Sequence, residues 1–186
     1  MKKQILIPAL SLFLICAITS LLLAAANEAT RGPIAELQAQ TALEAQQTVL
    51  PAAATFEEKT AADGAAYAQG LDASGQTVGY VFTTSSSGYG GLIKVMTGVD
   101  ADGAITGVEL LEISETAGLG MNAQKESFRD QFQGLSGSIG VAKSAAGEGE
   151  ITALTGATIT SRAVTNAVNQ ALALYQSEIG GTGHGK

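Results

Sequence analysis

The sequence predicts an α+β domain carried behind a single apolar N-terminal helix. Three observations predict it. Residues 5–26 form an uncharged, mostly apolar run directly after Met1-Lys2-Lys3-Gln4. From about Phe56 to Ile113, short apolar stretches alternate with turns built on Asp and Gly. Towards the C-terminal end Val164, Val168, Leu172 and Tyr175 recur at helical spacing, which turns one apolar stripe towards a core.

An apolar helix of about 20 residues crosses a bilayer, so residues 5–26 predict a transmembrane anchor. Residues 1–4 hold Lys2 and Lys3 and are expected in the cytoplasm. That orientation places a single-pass chain in the inner (cytoplasmic) membrane, with its globular part on the periplasmic or extracytoplasmic side. The alternative is a cleaved signal peptide, for which Ala24-Ala25-Ala26 offers a small-residue site. The apolar region of such a peptide runs only about 7–15 residues, which favours the anchor. The chain carries a net charge of −7, and the part beyond the span is more acidic still once Lys2 and Lys3 are set aside. This excess argues against nucleic acid as a partner and against a domain face resting on anionic lipid.

Residues 27–51 read as a neck and stalk. A short polar neck ends at Arg31, and Pro33 then stands where a first helical position is expected. Pro51 ends the segment. Its apolar spacing is irregular and rich in Ala and Gln, which predicts a helix lying on the domain instead of a part of its core. The domain itself is expected over residues 52–179, and residues 180–186 form a Gly-rich, flexible tail.

Within the domain, strands are expected at residues 66–71 and 77–84 around the turn Asp72-Ala73-Ser74-Gly75-Gln76. A second pair, 92–99 and 104–113, flanks Asp100-Ala101-Asp102-Gly103. Ser85-Ser86-Ser87-Gly88-Tyr89-Gly90-Gly91 reads as a loop between the pairs. A helix over 122–132 with Phe128 and Phe132 on one face, a short strand, and the C-terminal helix complete the α+β pattern.

Composition excludes several chemistries. With Cys16 the one cysteine, no intrachain disulfide and no cysteine-held zinc or iron–sulfur centre can be built from this chain alone. The one histidine, His184, lies in the tail, so a Ser-His-Asp hydrolase is not expected. Residues 88–94 fail as a phosphate-binding Walker loop, because Ile93 precedes Lys94 and no Ser or Thr follows. Gly118-x-Gly120 before a helix matches a dinucleotide fingerprint only loosely.

The stretch with most chemical content is Leu154-Thr155-Gly156-Ala157-Thr158-Ile159-Thr160-Ser161, directly ahead of the C-terminal helical pattern. Gly156 and Ala157 allow a ligand close to the backbone. The helix N-terminus behind them offers unpaired N–H groups and a positive dipole end, which suit a phosphate. A threonine hydroxyl there can hydrogen-bond a phosphate or be esterified by one. The plain alternative is a helix N-cap.

Thr155-Gly156-Ala157-Thr158-Ile159-Thr160-Ser161 resembles the flavinylation motif of the FMN-binding domain family. Two further segments resemble that family, Gly88-Tyr89-Gly90-Gly91 and Glu115-Thr116-Ala117-Gly118-Leu119-Gly120, with Ala117 where the family usually has Pro. The resemblance implies FMN attached covalently through its phosphate to Thr158. Thr155, Gly156, Ala157, Thr160 and Ser161 would surround that attachment, and Glu115, Thr116, Leu119, Gly120, Tyr89 and Gly90 would form the ring pocket. It implies no catalytic acid or base and no metal. One departure stands out, Thr152 in place of the motif's Asp six residues before Thr158. Lys143 is a candidate cationic neighbour of the phosphate or of the reduced ring, the plain alternative being a strand-end lysine on a solvated face. With these three segments in family order behind one anchor helix, the chain resembles the G subunits of Rnf (Rsx) ion-translocating electron-transport complexes, and its compact length favours them. The C subunits of sodium-translocating NADH:quinone reductase, which are typically longer, remain an alternative. The implied role is an electron-carrier subunit in a ferredoxin:NAD oxidoreductase complex, not a stand-alone catalyst. Its implied partners are the other subunits of the complex and a flavin transferase. An anchored subunit that binds FMN or another phosphorylated ligand without covalent attachment, or one with a purely structural role, is the further alternative.

Overall fold

The computed structural model describes residues 2–61 and 64–180; the tail with His184 lies outside the described residues. The chain separates into two compact units, with the boundary between Thr41 and Ala42. The first unit is helical, belonging to α1 (Lys2–Val49). Its apolar side chains, Leu6, Phe13 and Leu23 among them, are exposed along the helix. The hydroxyls of Ser11 and Thr19 turn back onto the carbonyls of Ile7 and Ile15, each at 2.9 Å. These two hydroxyls therefore make no demand for water within the run, which suits a lipid environment. With a mean hydropathy of 2.5 in its most apolar window, α1 is long and apolar enough to cross a membrane.

The expected neck is helical. Thr30 donates to the Ala26 carbonyl at 3.0 Å, and Arg31 approaches Glu28 at 3.9 Å one turn away. Pro33 lies inside α1, not at a first helical position. Proline removes one backbone hydrogen bond, but restarting a helix demands a fresh nucleus, so propagation through residues 27–33 wins.

The second unit starts at Ala42, earlier than the residue 52 expected from sequence, and is built on a five-stranded antiparallel meander. Its strands are β1 (Thr55–Thr60), β2 (Ala66–Leu71), β3 (Thr77–Ser87), β4 (Leu92–Asp100) and β5 (Ile105–Glu112). The β2–β3 and β4–β5 turns share one device. Asp72 Oδ1 accepts from the amides of Ser74 and Gln76, and Asp100 Oδ1 accepts from those of Asp102 and Ala104, at 2.8–2.9 Å. Ser85, Ser86 and Ser87 are strand and not loop, because they pair with Lys94, Ile93 and Leu92 of β4. Only residues 88–91 form the hairpin tip. The edge strand β1 is largely exposed and carries Glu57, Glu58 and Lys59, a charged composition that suits an edge and hides the strand's period.

Each face of the sheet carries its own core. On one face Phe82, Val95, Val99, Ile105 and Val108 pack against α3 (Thr158–Glu178) and the two phenylalanines Phe128 and Phe132. On the other, Ala68, Val81 and Met96 pack against Ala45, Val49 and Leu50. The end of α1 is thus core, not a helix merely laid on the surface. Glycines make this possible: Gly98 and Gly107 pair across β4 and β5, and a Cβ on Gly98 would collide with the Val49 carbonyl. That carbonyl accepts from Thr106 Oγ1, so the helix end is satisfied inside the domain.

The helix expected over 122–132 is broken into a 3-10 turn (Gly120–Gln124), α2 (Glu126–Arg129) and a second 3-10 turn (Asp130–Phe132). The break falls at Lys125, whose backbone is extended (φ −72, ψ 140). Arg129 pairs with Glu109 and reaches the Val108 carbonyl, tying the segment to β5. A parallel ribbon of β6 (Gly140–Ala142) and β7 (Glu150–Thr152) follows. Side-chain amides clamp its approaches. Asn169 of α3 exchanges two 2.9 Å hydrogen bonds with the backbone of Ile139, and Gln131 accepts from the Thr152 amide at 2.8 Å.

Two outcomes follow for the domain. Phe132→Ala, which empties a fully buried site, is expected to lower stability by about 3–5 kcal/mol in denaturant unfolding. Burial, then Tyr80 and the carboxylates Asp100 and Asp102, raise the Tyr175 phenol above its usual range. Because the raised value favours the neutral form in the fold, its contribution is complete below the unfolded phenol's pKa and is lost as pH rises through the folded one. Tyr175→Phe should therefore flatten the alkaline decline in melting temperature.

Candidate functional site

Three segments far apart in sequence meet at the end of the domain where α3 begins. The first is the β3–β4 hairpin tip, closed by the Gly88 amide donating to the Gly91 carbonyl at 2.7 Å. The second is the loop leaving β5. There the amides of Leu119 and Met121 both donate to the Thr116 carbonyl, and Asn122 Nδ2 donates to the Gly118 carbonyl at 2.8 Å. Ala117 is exposed, and these bonds close the loop without a proline. The third is the turn from Leu154 to Ala157, closed by the Ala157 amide on the Leu154 carbonyl at 3.0 Å, with Gly156 at φ +75. Only glycine takes that backbone without strain, and a Cβ there would stand 3.1 Å from Leu119 Cδ2.

Between them lies a half-open cavity of about 510 Å³. Tyr89 from the tip, Glu115, Thr116, Leu119 and Gly120 from the second loop, and Gly156, Ala157, Thr158 and Thr160 from the third line it. The size falls within the roughly 300–1,000 Å³ of small-molecule sites. All these lining residues were expected at a site from the sequence, and the fold brings them together. Ile159 also lines the cavity and was not anticipated. It is 55% exposed at the second position of α3, and its only sequence signal is an apolar side chain among hydroxyls. Among the described residues of the second unit, the large apolar side chains left exposed are Leu43, Tyr89, Leu92, Leu119 and Ile159. Three of the five line this cavity.

The remaining expected residues take other places. Thr155 is exposed in the turn, and Gly90 sits behind Tyr89, donating its amide to Glu115 Oε1 at 3.3 Å. Ser161 is fully buried: its Oγ accepts from the Leu154 amide at 2.9 Å and donates to the Ala157 carbonyl at 3.0 Å. It braces the turn. Lys143 is exposed just beyond β6, outside the cavity lining.

The N-cap alternative is resolved by geometry. The cap position of α3 is Ala157, and no side chain caps it. The first amides of α3 therefore lack the partner a capping hydroxyl would supply, and they bring the positive end of a 21-residue helix to the cavity. Thr158, the first residue of α3, is half-buried on the cavity wall. The chemistry this arrangement supports is capture of a phosphate at the helix end, with a hydroxyl beside it and an apolar slot alongside.

The FMN-binding domain family matches residues 88–173, a span that takes in all three segments. The chain is 41% identical to the G subunit of the Na(+)-translocating ferredoxin:NAD(+) oxidoreductase complex of Acetobacterium woodii, over 90% of each chain. It is 33% identical to the G subunit of the ion-translocating oxidoreductase complex of Methanosarcina acetivorans, over 96% of this chain and 98% of that one. Among solved structures, NqrC of Shewanella oneidensis shares the fold at a TM-score of 0.53 and 23% identity, covering 68% of this chain and 69% of that one. The C subunit of the Na(+)-translocating NADH-quinone reductase of Parabacteroides distasonis aligns at 0.50 and 27%, covering 59% and 61%.

Gly156→Ala tests the local geometry. Forcing an L side chain into a left-handed backbone costs about 1–2 kcal/mol, and here Leu119 must also give way. Thermal unfolding should show a loss of that order, with the sheet's secondary structure retained by circular dichroism.

Proposed function

The chain belongs to the family of G subunits of ion-translocating oxidoreductase complexes, and from that premise we propose how it carries its flavin. It is a membrane-anchored FMN flavoprotein subunit that relays electrons within an ion-translocating ferredoxin:NAD oxidoreductase complex. FMN is held covalently, as a phosphoester on Thr158. Lys2 and Lys3 stay cytoplasmic, residues 5–26 span the membrane, and the domain works on the extracytoplasmic side. The observation that carries the flavin reading is the uncapped start of α3, with Thr158 in the wall of a largely apolar cavity.

The residues present fit FMN. The free amides at the start of α3 and the helix dipole hold the phosphate, while Gly156 and Ala157 let it approach the backbone. Tyr89, Leu119 and Ile159 supply apolar walls for a flat ring and keep water from it. When bound, FMN accepts and releases one or two electrons, which suits a relay between redox centres. Thr158 then serves as a tether: an ester through its Oγ prevents loss of the cofactor and fixes the ring's reach. No side chain is needed as a general acid or base. A separate flavin transferase makes the ester by transferring FMN from FAD to the Thr158 hydroxyl: the FAD pyrophosphate bond breaks and AMP leaves. The relatives matched over nine-tenths of their length are G subunits, while the C subunits support the fold, so the G-subunit reading stands first.

Thr152 favours a second reading, dissociable FMN. It stands where the family's flavinylation motif carries Asp, and its backbone is engaged by Gln131. One experiment separates the two. The full-length protein, made together with a flavin transferase, is run on a denaturing gel under ultraviolet light beside Thr158→Ala. Fluorescence in the wild type and none in the variant is the expected outcome. A dark wild-type band with flavin released on denaturation would move the answer to dissociable FMN.

A further inference from the structure

The carboxylate of Glu115 joins the hairpin tip to the loop leaving β5. Its Oε1 accepts from the Tyr89 amide at 2.7 Å and from the Gly90 amide at 3.3 Å, across 25 residues or more of sequence. Glycines clear the space for it. A Cβ on Gly88 would collide with Oε1, and one on Gly90 would collide with the Ser114 carbonyl. A Cβ on Gly120 would lie 2.7 Å from Oε2 and 2.7 Å from Thr160 Oγ1. The carboxylate is therefore wedged among three glycine backbones with one oxygen turned to the hairpin tip. The other oxygen, Oε2, takes no hydrogen bond among the described residues. Glu115 and Thr160 both line the cavity, and Thr160 is 1% exposed. Glu115 is also in no ion pair among the described residues, so its charge is not cancelled by a neighbouring cation.

We propose that Glu115 is the positioning residue of this cavity: Oε1 ties residues 88–91 to the β5 exit loop, and Oε2 sets a fixed negative charge on the wall beside Thr160. The tie stands on geometry alone, while the effect of the charge rests on the FMN reading above. Without the tie, Tyr89, which is 74% exposed, is held only by the short hairpin tip, and the wall it forms is free to swing out. The charge disfavours any gain of negative charge in the cavity, so it lowers the midpoint potential of a bound flavin.

Two variants of the full-length protein in detergent test the two halves. Amide hydrogen exchange is read first, in protein made without a flavin transferase. Glu115→Ala should speed exchange at Tyr89 and Gly90 by roughly ten- to hundredfold, the range implied by losing hydrogen bonds to a charged acceptor. Exchange at Val95 and Val168 should not change. Glu115→Gln keeps an acceptor and should keep most of the protection. Unchanged exchange at Tyr89 and Gly90 in Glu115→Ala, or acceleration spread evenly through the sheet, would overturn the tie. The second readout is the midpoint potential of flavin-loaded Glu115→Gln, which should rise relative to wild type. An unchanged potential would overturn the charge. If wild-type protein carries no flavin at all, the FMN reading fails, while the exchange measurement still decides the tie.

Discussion

The seating of α3 on the sheet is the constraint on which the functional end depends. Val164, Val168 and Leu172 are buried against the β3–β4 face, and polar contacts pin the middle and the far end of the packed length. Thr84 of β3 donates to the Ala167 carbonyl at 2.7 Å, and the Tyr175 hydroxyl donates to the Ala101 carbonyl in the β4–β5 turn at 2.8 Å. A helix held along its length and at its far end has no freedom to choose where its first turn lies. Burying that apolar stripe fixes the position of Thr158, and the amides around it face whatever the loops leave open.

Close approach is the second condition. The loops reach the start of α3 only because small residues stand at the contacts. Gly156 meets Leu119, Gly120 lies between Glu115 and Thr160, and Gly88 and Gly90 lie against Glu115 and Ser114. The abundance of Gly in the chain is thus not simply a sign of loose turns. At these positions glycine is the residue that lets three backbones come near enough to enclose a small molecule. The same device recurs on the opposite face, where Gly98 and Gly107 admit the end of α1.

The helical N-terminal unit obeys a different rule. Its apolar side chains need no partner from the protein, and the hydroxyls of Ser11 and Thr19 bond carbonyls of the same helix, so the run is at home in lipid. Burial there is a property of the solvent, whereas in the domain it is a property of packing. That contrast makes one end of the chain legible from composition and the other only from geometry.

Local regularity determined much of this protein from sequence alone. The helical period of α3, the Asp turns at Asp72 and Asp100, and the apolar run at the N-terminus act over a few residues and leave a direct trace. Most of the cavity's lining was legible through motif resemblance. Ile159 was not, because an exposed apolar residue carries no period. The tertiary structure decided what depends on contacts across the chain. Pairing with β4 drew Ser85, Ser86 and Ser87 into a strand. The tie of Arg129 to β5 accompanied the break in the helix over 122–132, and a slot of glycines took the end of α1 into the core. Glu115 became the link between two loops for the same reason: a hydrogen bond across 25 residues or more is set by where the sheet places its ends. Neighbour-to-neighbour preferences hold no record of that distance.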